Sequence, residues 1–294
     1  GDMKVENLSQ PVPKNAESRL MEFNGTFPSN EAKASFARWF AELVVCDFML
    51  QGMPQEEIKR AGGLGGLIKL VKGKGYISEL IEALEKIRRI GNRGVHYNDK
   101  PPTEEEAEEI YNLARELFYY LVLDEVVKRP LNLNPARATI FSVIFPQVRA
   151  FVIQHILEKG VEDRDYEKGL IHKYALVLTK MHKIDKAIDF LDSMYKKGKV
   201  DKLKYQYEIC SIKAIKIEFD NDMLPVAKDM ADFTRNLSEV LKSINEKERE
   251  ENKELISIFE NLTKKIDSSS FGQSIPDLIV PINLNLNGFK PSSA

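Results

Sequence analysis

The sequence predicts an all-α protein with two helical domains. Apolar residues recur at intervals of three and four over most of residues 29–266, which is the period of an amphipathic helix. Short turn-forming stretches separate these segments, and Arg129-Pro130 followed by LNLNP divides them into two groups. We therefore expect a lead-in at 1–15, helical domains at 16–130 and 131–266, and a tail at 267–294 with a candidate edge strand.

Composition limits the class of protein. Hydrophobic residues make up 43% of the chain, enough for a packed core, and the net charge of −2 provides no overall attraction to nucleic acid. Any contact with a polyanion must therefore come from a local patch. No stretch is apolar over the length of a membrane span, and the first residues lack a signal-peptide core, so we expect a cytoplasmic protein with no membrane partner.

The two cysteines and most histidines suggest structural roles. Cys46 and Cys210 fall among apolar residues in predicted helices, so we expect both to be small buried side chains rather than disulfide or zinc ligands. His155 lies in an apolar helix, and His172 and His182 do not have the spacing of metal ligands. We expect neither a metal nor a cofactor.

The first domain begins with a strong helix. Ser29 or Asn30 can cap it, and Phe36, Phe40 and Val44 lie on its apolar side over about 20 residues. The glycines at 62, 63, 65 and 66 that follow predict a loop between helices with a short helix around 66–71. A phosphate-binding loop is disfavoured because no Gly-Lys-Ser/Thr follows and no strand precedes.

Two further strong helices complete this domain. The segment YISELIEALEKIRRIGN, residues 76–92, carries one apolar stripe, and Gly91 and Asn92 can end it because these residue types tolerate left-handed backbone angles. The next helix opens with a capping box of Thr103 and Glu106 and runs to about Lys128.

The second domain reads as successive helices near residues 136–158, 168–181, 184–197, 201–218, 223–244 and 247–266. Pro146 is expected to kink the first of them. The spacing resembles a helical-repeat (TPR-like) protein, although no repeat signature residues stand in register. Residues 168–216 hold twelve lysines against five acids, with Tyr195, Tyr205 and Tyr207 among them. This suits single-stranded RNA, but solvated amphipathic helices give the same composition and are the favoured interpretation.

The stretch RRIGNRGVHYND, residues 88–99, places three arginines, a Gly-Asn turn and a histidine at the end of an apolar helix. With Arg38 in the first helix and the capped acidic helix that follows, it resembles the HEPN superfamily of small helical bundles. The resemblance covers residues 31–128 and is nearest to a branch of unknown function found alone or fused to restriction-enzyme subunits. Its sharpest element is IRxxGNxxxH at residues 87–96.

The resemblance implies an HEPN-like bundle of four or five helices that pairs with a second copy through the face bearing the motif. Many members are metal-independent ribonucleases of bacterial defence, toxin–antitoxin or RNA-processing systems. Their motif is an arginine, four to six residues, then a histidine, which Arg89 and His96 match; Arg93 is too close to His96. Active members usually have a polar residue directly after the arginine, and this chain has Ile90 there.

The residue types suit RNA cleavage. Histidine moves protons near neutral pH, and arginine grips phosphate oxygens with two N–H groups. We therefore predict His96 as acid/base and Arg89 as its catalytic partner, and the candidate substrate-binding residues are Arg88, Asn92 and Arg93. One protomer has only one such histidine, whereas acid and base need two, which favours a symmetric homodimer.

Two other interpretations remain open from the sequence. The arginines can simply offset the negative end of the helix dipole, with Asn92 as a cap and His96 bonded to a nearby carbonyl or carboxylate. Ile90 also leaves open a non-catalytic dimerisation and interaction module, accessory to restriction machinery, whose second domain binds a protein partner.

Overall fold

The protein is all-α throughout the part that the computed structural model describes, residues 29–93 and 99–265. The predicted lead-in and the tail with its candidate strand lie outside these residues. The helices in chain order are α1 (Asn30–Val44), α2 (Gln55–Ala61), α3 (Leu64–Lys72), α4 (Ser78–Gly91), α5 (Glu104–Lys128), α6 (Pro135–Phe141), α7 (Pro146–Lys159), α8 (Arg164–Lys180), α9 (Ile184–Lys196), α10 (Lys202–Asp220), α11 (Met230–Ser243), α12 (Glu246–Glu251) and α13 (Lys253–Lys265). A π-helical turn, Val45–Met49, extends α1.

The described residues form two compact units. The first contains 29–125 and 256–265, and the second contains 126–255. Residues 256–265, which the predicted domain 131–266 included, group with the first unit, and their side chains Ile256, Phe259 and Leu262 are buried. Asn261 adds a 2.8 Å hydrogen bond from its Nδ2 to the backbone oxygen of Asp47.

The core of the first unit contains the apolar stripes that helical spacing predicts. Phe36, Phe40 and Val44 of α1 are buried. The buried residues of α4 and α5 include Leu80, Leu84, Ile87, Ala107, Ile110, Ala114, Leu117 and Leu121. Burial of such side chains is the main favourable contribution to folding, so the period of the sequence accounts for the choice of faces.

Side-chain caps fix where these helices begin. Ser29 Oγ accepts from Ala32 N at 3.1 Å, and Thr103 and Glu106 exchange the two 3.1 Å bonds of the predicted capping box. The buried Asp124 accepts the backbone N–H of Ile77 at 2.8 Å, directly before α4. The short helix expected around 66–71 is present as α3.

Helix α4 ends at Gly91 and Asn92 as predicted, but without the left-handed backbone conformation that these residue types suggested. Gly91 still belongs to the helix, and Asn92 caps it with φ −84°, a right-handed conformation. The glycine serves a close helix crossing instead, because a Cβ there would lie 3.4 Å from both the backbone oxygen of Ala34 and Cβ of Arg38.

Several helix boundaries and the burial of both cysteines differ from the predictions. Pro146 begins α7 rather than kinking a longer helix, because the ring fixes φ and needs no N–H donor at a first turn. Residues 223–229 precede α11, and Asn252 separates α12 from α13. Cys210 is exposed on α10 and Cys46 is only half-buried, so the expectation that both are buried was wrong.

Candidate nucleic-acid interface

The predicted site residues lie at the carboxyl end of α4. Arg88 and Arg89 occupy its last turn, and Asn92 and Arg93 follow directly. On a helix, residues three and four apart are neighbours, so Asn92 stands over the turn between Arg88 and Arg89. The negative end of the helix dipole favours cations there.

Arg38 of α1 joins this group through a contact across 54 residues of sequence. Its Nη1 donates to Oδ1 of Asn92 at 3.2 Å. The close crossing at Gly91 allows this, because it brings the Arg38 stem against the end of α4. Arg38 was part of the sequence resemblance but not a predicted site residue, because no sequence pattern links residues 54 positions apart.

Arg88 is held against α3 rather than directed outward. Its Nε donates to Glu85 at 3.0 Å, and its Cδ lies 3.3 Å from where a Cβ on Gly65 would be. Lys72 also pairs with Glu85 at 2.6 Å. Lys72 first, and Arg88 with it, hold the pKa of Glu85 below its ordinary value despite desolvation. The guanidinium is therefore partly neutralised.

Arg93 is also paired. It forms an ion pair with Glu106 and donates from Nε to the backbone oxygen of Lys100 at 3.3 Å. The backbone hydrogen bond from Thr103, and then Arg93, hold the pKa of Glu106 below its ordinary value. Arg93 thus ties the end of α4 to the start of α5. The sequence interpretation expected a nearby carboxylate to bond His96, and the structure shows one bonded to Arg93 instead.

Arg89 differs from its neighbours. It is exposed, and among residues 29–93 and 99–265 no hydrogen bond or ion pair to it is found. Ile90, at the position usually polar in active family members, is buried with 4% exposure and belongs to the core. His96 lies outside the described residues, so its distance from Arg89 is not part of the structure.

The site comprises five cations and two carboxylates, for a net charge of +3: Arg38, Lys72, Arg88, Arg89, Arg93, Glu85 and Glu106. Guanidinium groups are suited to phosphate because they present paired donors and remain charged. Within the described ranges, no group of three His, Cys, Asp or Glu side chains could hold a metal ion. Groups of this kind can bind an oxyanion.

The lysine- and tyrosine-rich segment of the second unit is largely engaged with itself. Tyr195 and Tyr205 stack with ring centroids 5.0 Å apart, and Tyr205 donates to Asp192. Lys204 lies over the Tyr207 ring at 5.1 Å. Stacking of bases would therefore have to displace existing contacts.

A buried carboxylate that the sequence interpretation missed lies in this segment. Glu208 is fully buried; it accepts from His172 Nδ1 at 2.6 Å and pairs with Lys204 Nζ at 2.9 Å. Burial opposes its charge, but the hydrogen bond from His172 and the ion pair with Lys204 outweigh it and hold the pKa of Glu208 below its ordinary value. Lys204 and Glu208 are four residues apart on one helix, so the sequence indicates that they can pair. Nothing in the sequence indicates that His172, 36 residues away, lies beside Glu208.

A cationic cluster and a cleft complete the second unit. Arg149 is 6% exposed and donates from Nε to the backbone oxygen of Ile144 at 3.0 Å. Burial and the charges of Arg149 and Lys173 lower the pKa of Lys180 to about 8.

Lys173 also lines a cleft of about 470 Å³ whose other walls include Leu131, Leu133, Pro135, Ala138 and Leu170. None of the predicted site residues lines it.

Compared with known proteins, the chain matches no family model, no curated protein and no solved structure. In the described part of the chain, the helices are too short or too polar to cross a membrane.

Proposed function

We propose that the first unit binds the phosphate backbone of RNA at the end of α4 and, with His96, cleaves it without a metal ion. The observation that carries this proposal is Arg89, an exposed arginine with no carboxylate partner among the described residues, beside Arg38 and Asn92. Arg93, by contrast, is occupied by Glu106, so Arg89 is the motif arginine whose donors are open to a phosphate.

The proposed roles follow from the groups present. Arg89 and Arg38 bind phosphate oxygens, Asn92 orients Arg38, and Arg88 and Arg93 add positive charge. Attack by the RNA 2′-hydroxyl requires a base, and departure of the 5′-oxygen requires an acid. His96 of two copies in a homodimer supplies both in this proposal. The setting implied by the family resemblance is bacterial defence or a toxin–antitoxin system.

A direct test uses labelled RNA in the presence of EDTA. His96→Ala should abolish cleavage while leaving binding within about twofold, whereas Arg89→Gln should weaken binding roughly tenfold, the loss of a charged hydrogen bond. Arg60→Gln is the matched control, because Arg60 is exposed on α2 of the same unit and carries the same charge. Cleavage that survives His96→Ala, or equal losses for Arg60 and Arg89 variants, would contradict the proposal.

A second candidate is a module that binds without catalysis. The burial of Ile90 and the pairing of Arg88 and Arg93 with carboxylates favour it, since two of the proposed phosphate contacts are already engaged. It predicts Arg89-dependent binding to RNA or a protein partner with no strand cleavage. The same experiment separates the two, because only the first produces RNA ends bearing a 2′,3′-cyclic phosphate.

A further inference from the structure

Helix α10 carries an apolar stripe on its solvent-exposed side. Leu203, Tyr207 and Ile217 are 78%, 61% and 63% exposed. With the exposed Cys210 and Ala214 they follow intervals of four, three, four and three residues. Exposed leucine and isoleucine are ordinary when scattered singly, but five aligned positions on one helix form a continuous surface.

The opposite side of α10 packs within the second unit. Tyr205, Ile212 and Phe219 stand seven residues apart; Ile212 is buried, Tyr205 stacks on Tyr195, and the Phe219 ring lies 4.7 Å from that of His182. The helix is therefore two-sided. Its internal packing accounts for one stripe and leaves the other exposed, with Lys204 of the same helix over the Tyr207 ring.

The spacing selects the kind of partner. Alternation of three and four is the 3.5-residue period of a coiled-coil seam, in which side chains of one helix fit between those of another helix with the same period. In that register Leu203, Cys210 and Ile217 take the d positions, and Tyr207 and Ala214 take the a positions. A helix is thus the partner that this stripe fits.

The charges beside the seam point to a second copy of the same helix. Lys213 and Glu218 take g and e positions five residues apart, which is the separation bridged between two parallel helices. Both are exposed, and neither forms an ion pair with another described residue. Parallel pairing in register brings Lys213 of each copy to Glu218 of the other.

Antiparallel pairing fits less well. The register that pairs Tyr207 with Ile217 places the two Lys213 side chains against each other. The antiparallel register that pairs Leu203 with Ala214 relieves this repulsion. It leaves Ile217 opposite Val200, however, and Val200 precedes α10. Parallel pairing alone covers all five apolar positions and joins opposite charges.

We propose that two copies of this chain associate through a parallel, two-fold symmetric pairing of α10. This inference does not depend on RNA binding or on the face of α4. The stripe extends about 21 Å along the helix, so the interface is smaller than the roughly 1,200 Å² typical of tight complexes. We therefore expect dissociation in the micromolar range.

Sedimentation equilibrium of the full chain tests the proposal. Wild type should dimerise over about 1–200 μM, and Leu203→Lys with Ile217→Lys should raise the dissociation constant at least tenfold. Both positions are exposed, so the fold should tolerate the change. Leu133→Lys is the matched control: this leucine is 57% exposed elsewhere in the same unit, and its variant should dimerise as wild type does.

A charge exchange tests the parallel orientation. Lys213→Glu or Glu218→Lys alone should weaken dimerisation about threefold or more, and the double exchange should restore it. An antiparallel pairing predicts the reverse for Lys213→Glu, which would then relieve repulsion. In a Cys46→Ser background, mild oxidation should join two chains through Cys210, because parallel register places the two thiols opposite each other.

Three results would overturn the proposal. The first is a wild-type chain that stays monomeric at about 200 μM. If Cys210 is also unreactive in that monomer, the stripe is covered by the chain itself. The second is a dimer of the Leu203/Ile217 variant that oxidation still joins through Cys210; a persisting dimer that no longer joins through Cys210 is instead the pairing that the proposed function requires, and it shows that the α10 contact is lost. The third is a dimer that is lost with changes at the end of α4 but not on α10.

Discussion

Gly66 is the position where the structure makes the sharpest prediction about stability. A Cβ at residue 66 would lie 1.8 Å from the backbone oxygen of Ala61 and 2.7 Å from its carbonyl carbon. Both are backbone atoms, so no side-chain rotation relieves the clash. Gly66→Ala must therefore push α3 away from the end of α2, or distort one of them.

The expected cost comes from two opposing effects. Carbon and oxygen atoms meet at about 3.3 Å, so the two segments must separate by roughly 1.5 Å. Overpacking of this kind costs about 1–3 kcal/mol, while alanine in a helix interior regains about 1 kcal/mol relative to glycine. Because both clashing atoms belong to the backbone, the cost should lie in the upper part of that range, about 2–3 kcal/mol, which leaves a net loss of about 1–2 kcal/mol in the free energy of unfolding of the first unit.

Urea unfolding followed by tryptophan fluorescence measures this loss of stability in the first unit. Trp39 on α1 is the single tryptophan of the chain, so its signal reports the first unit. The midpoint should fall by roughly 0.5–1 M urea at an unchanged slope. Displacement of α3 should also loosen Arg88, whose stem rests on Gly65.

Gly73→Ala is the matched control at the other end of α3. Its φ of −86° suits alanine, and a Cβ there meets no atom within 4 Å. This variant should gain about 0.4–1 kcal/mol by restricting the unfolded chain. A Gly66→Ala protein as stable as wild type, or one that shifts in the same direction as Gly73→Ala, would refute the reasoning.

Three further predictions concern caps and buried charges. Thr103→Ala should cost about 1 kcal/mol by removing the capping box with Glu106, measured by the same tryptophan assay. The pKa of Lys180, lowered to about 8, means that the folded state binds fewer protons than the unfolded state between pH 8 and its ordinary value of 10.5. Stability should therefore rise with pH across that window, and Lys180→Met should gain on the order of 1–3 kcal/mol at pH 7 and abolish this rise in calorimetry. The pKa of Glu208 is lowered in the folded state, so its carboxylate stabilises the fold at pH values above the ordinary pKa of glutamate, and this stabilisation is lost as the pH falls through the folded pKa. Glu208→Gln should cost on the order of 1–3 kcal/mol at neutral pH, and stability measured against pH should then lose this acid-range slope.

Local interactions explain what the sequence determined. Helical period selected the buried faces of α1, α4 and α5, and short polar signals such as Ser29 and the Thr103–Glu106 box set helix starts. These features depend on residues three or four apart, so all the interacting residues lie within one short stretch of the sequence.

Tertiary structure decided which site residues are available. The partners of Asn92, Arg93 and Glu208 are 54, 13 and 36 residues away, and no pattern in the sequence indicates that such groups meet. The same holds for Gly91, which permits a crossing with α1 rather than a left-handed turn, and for Cys210, which faces solvent. Whether an amphipathic face is covered depends on which helix folds against it, and that is set by the packing of the whole unit rather than by the period of one segment.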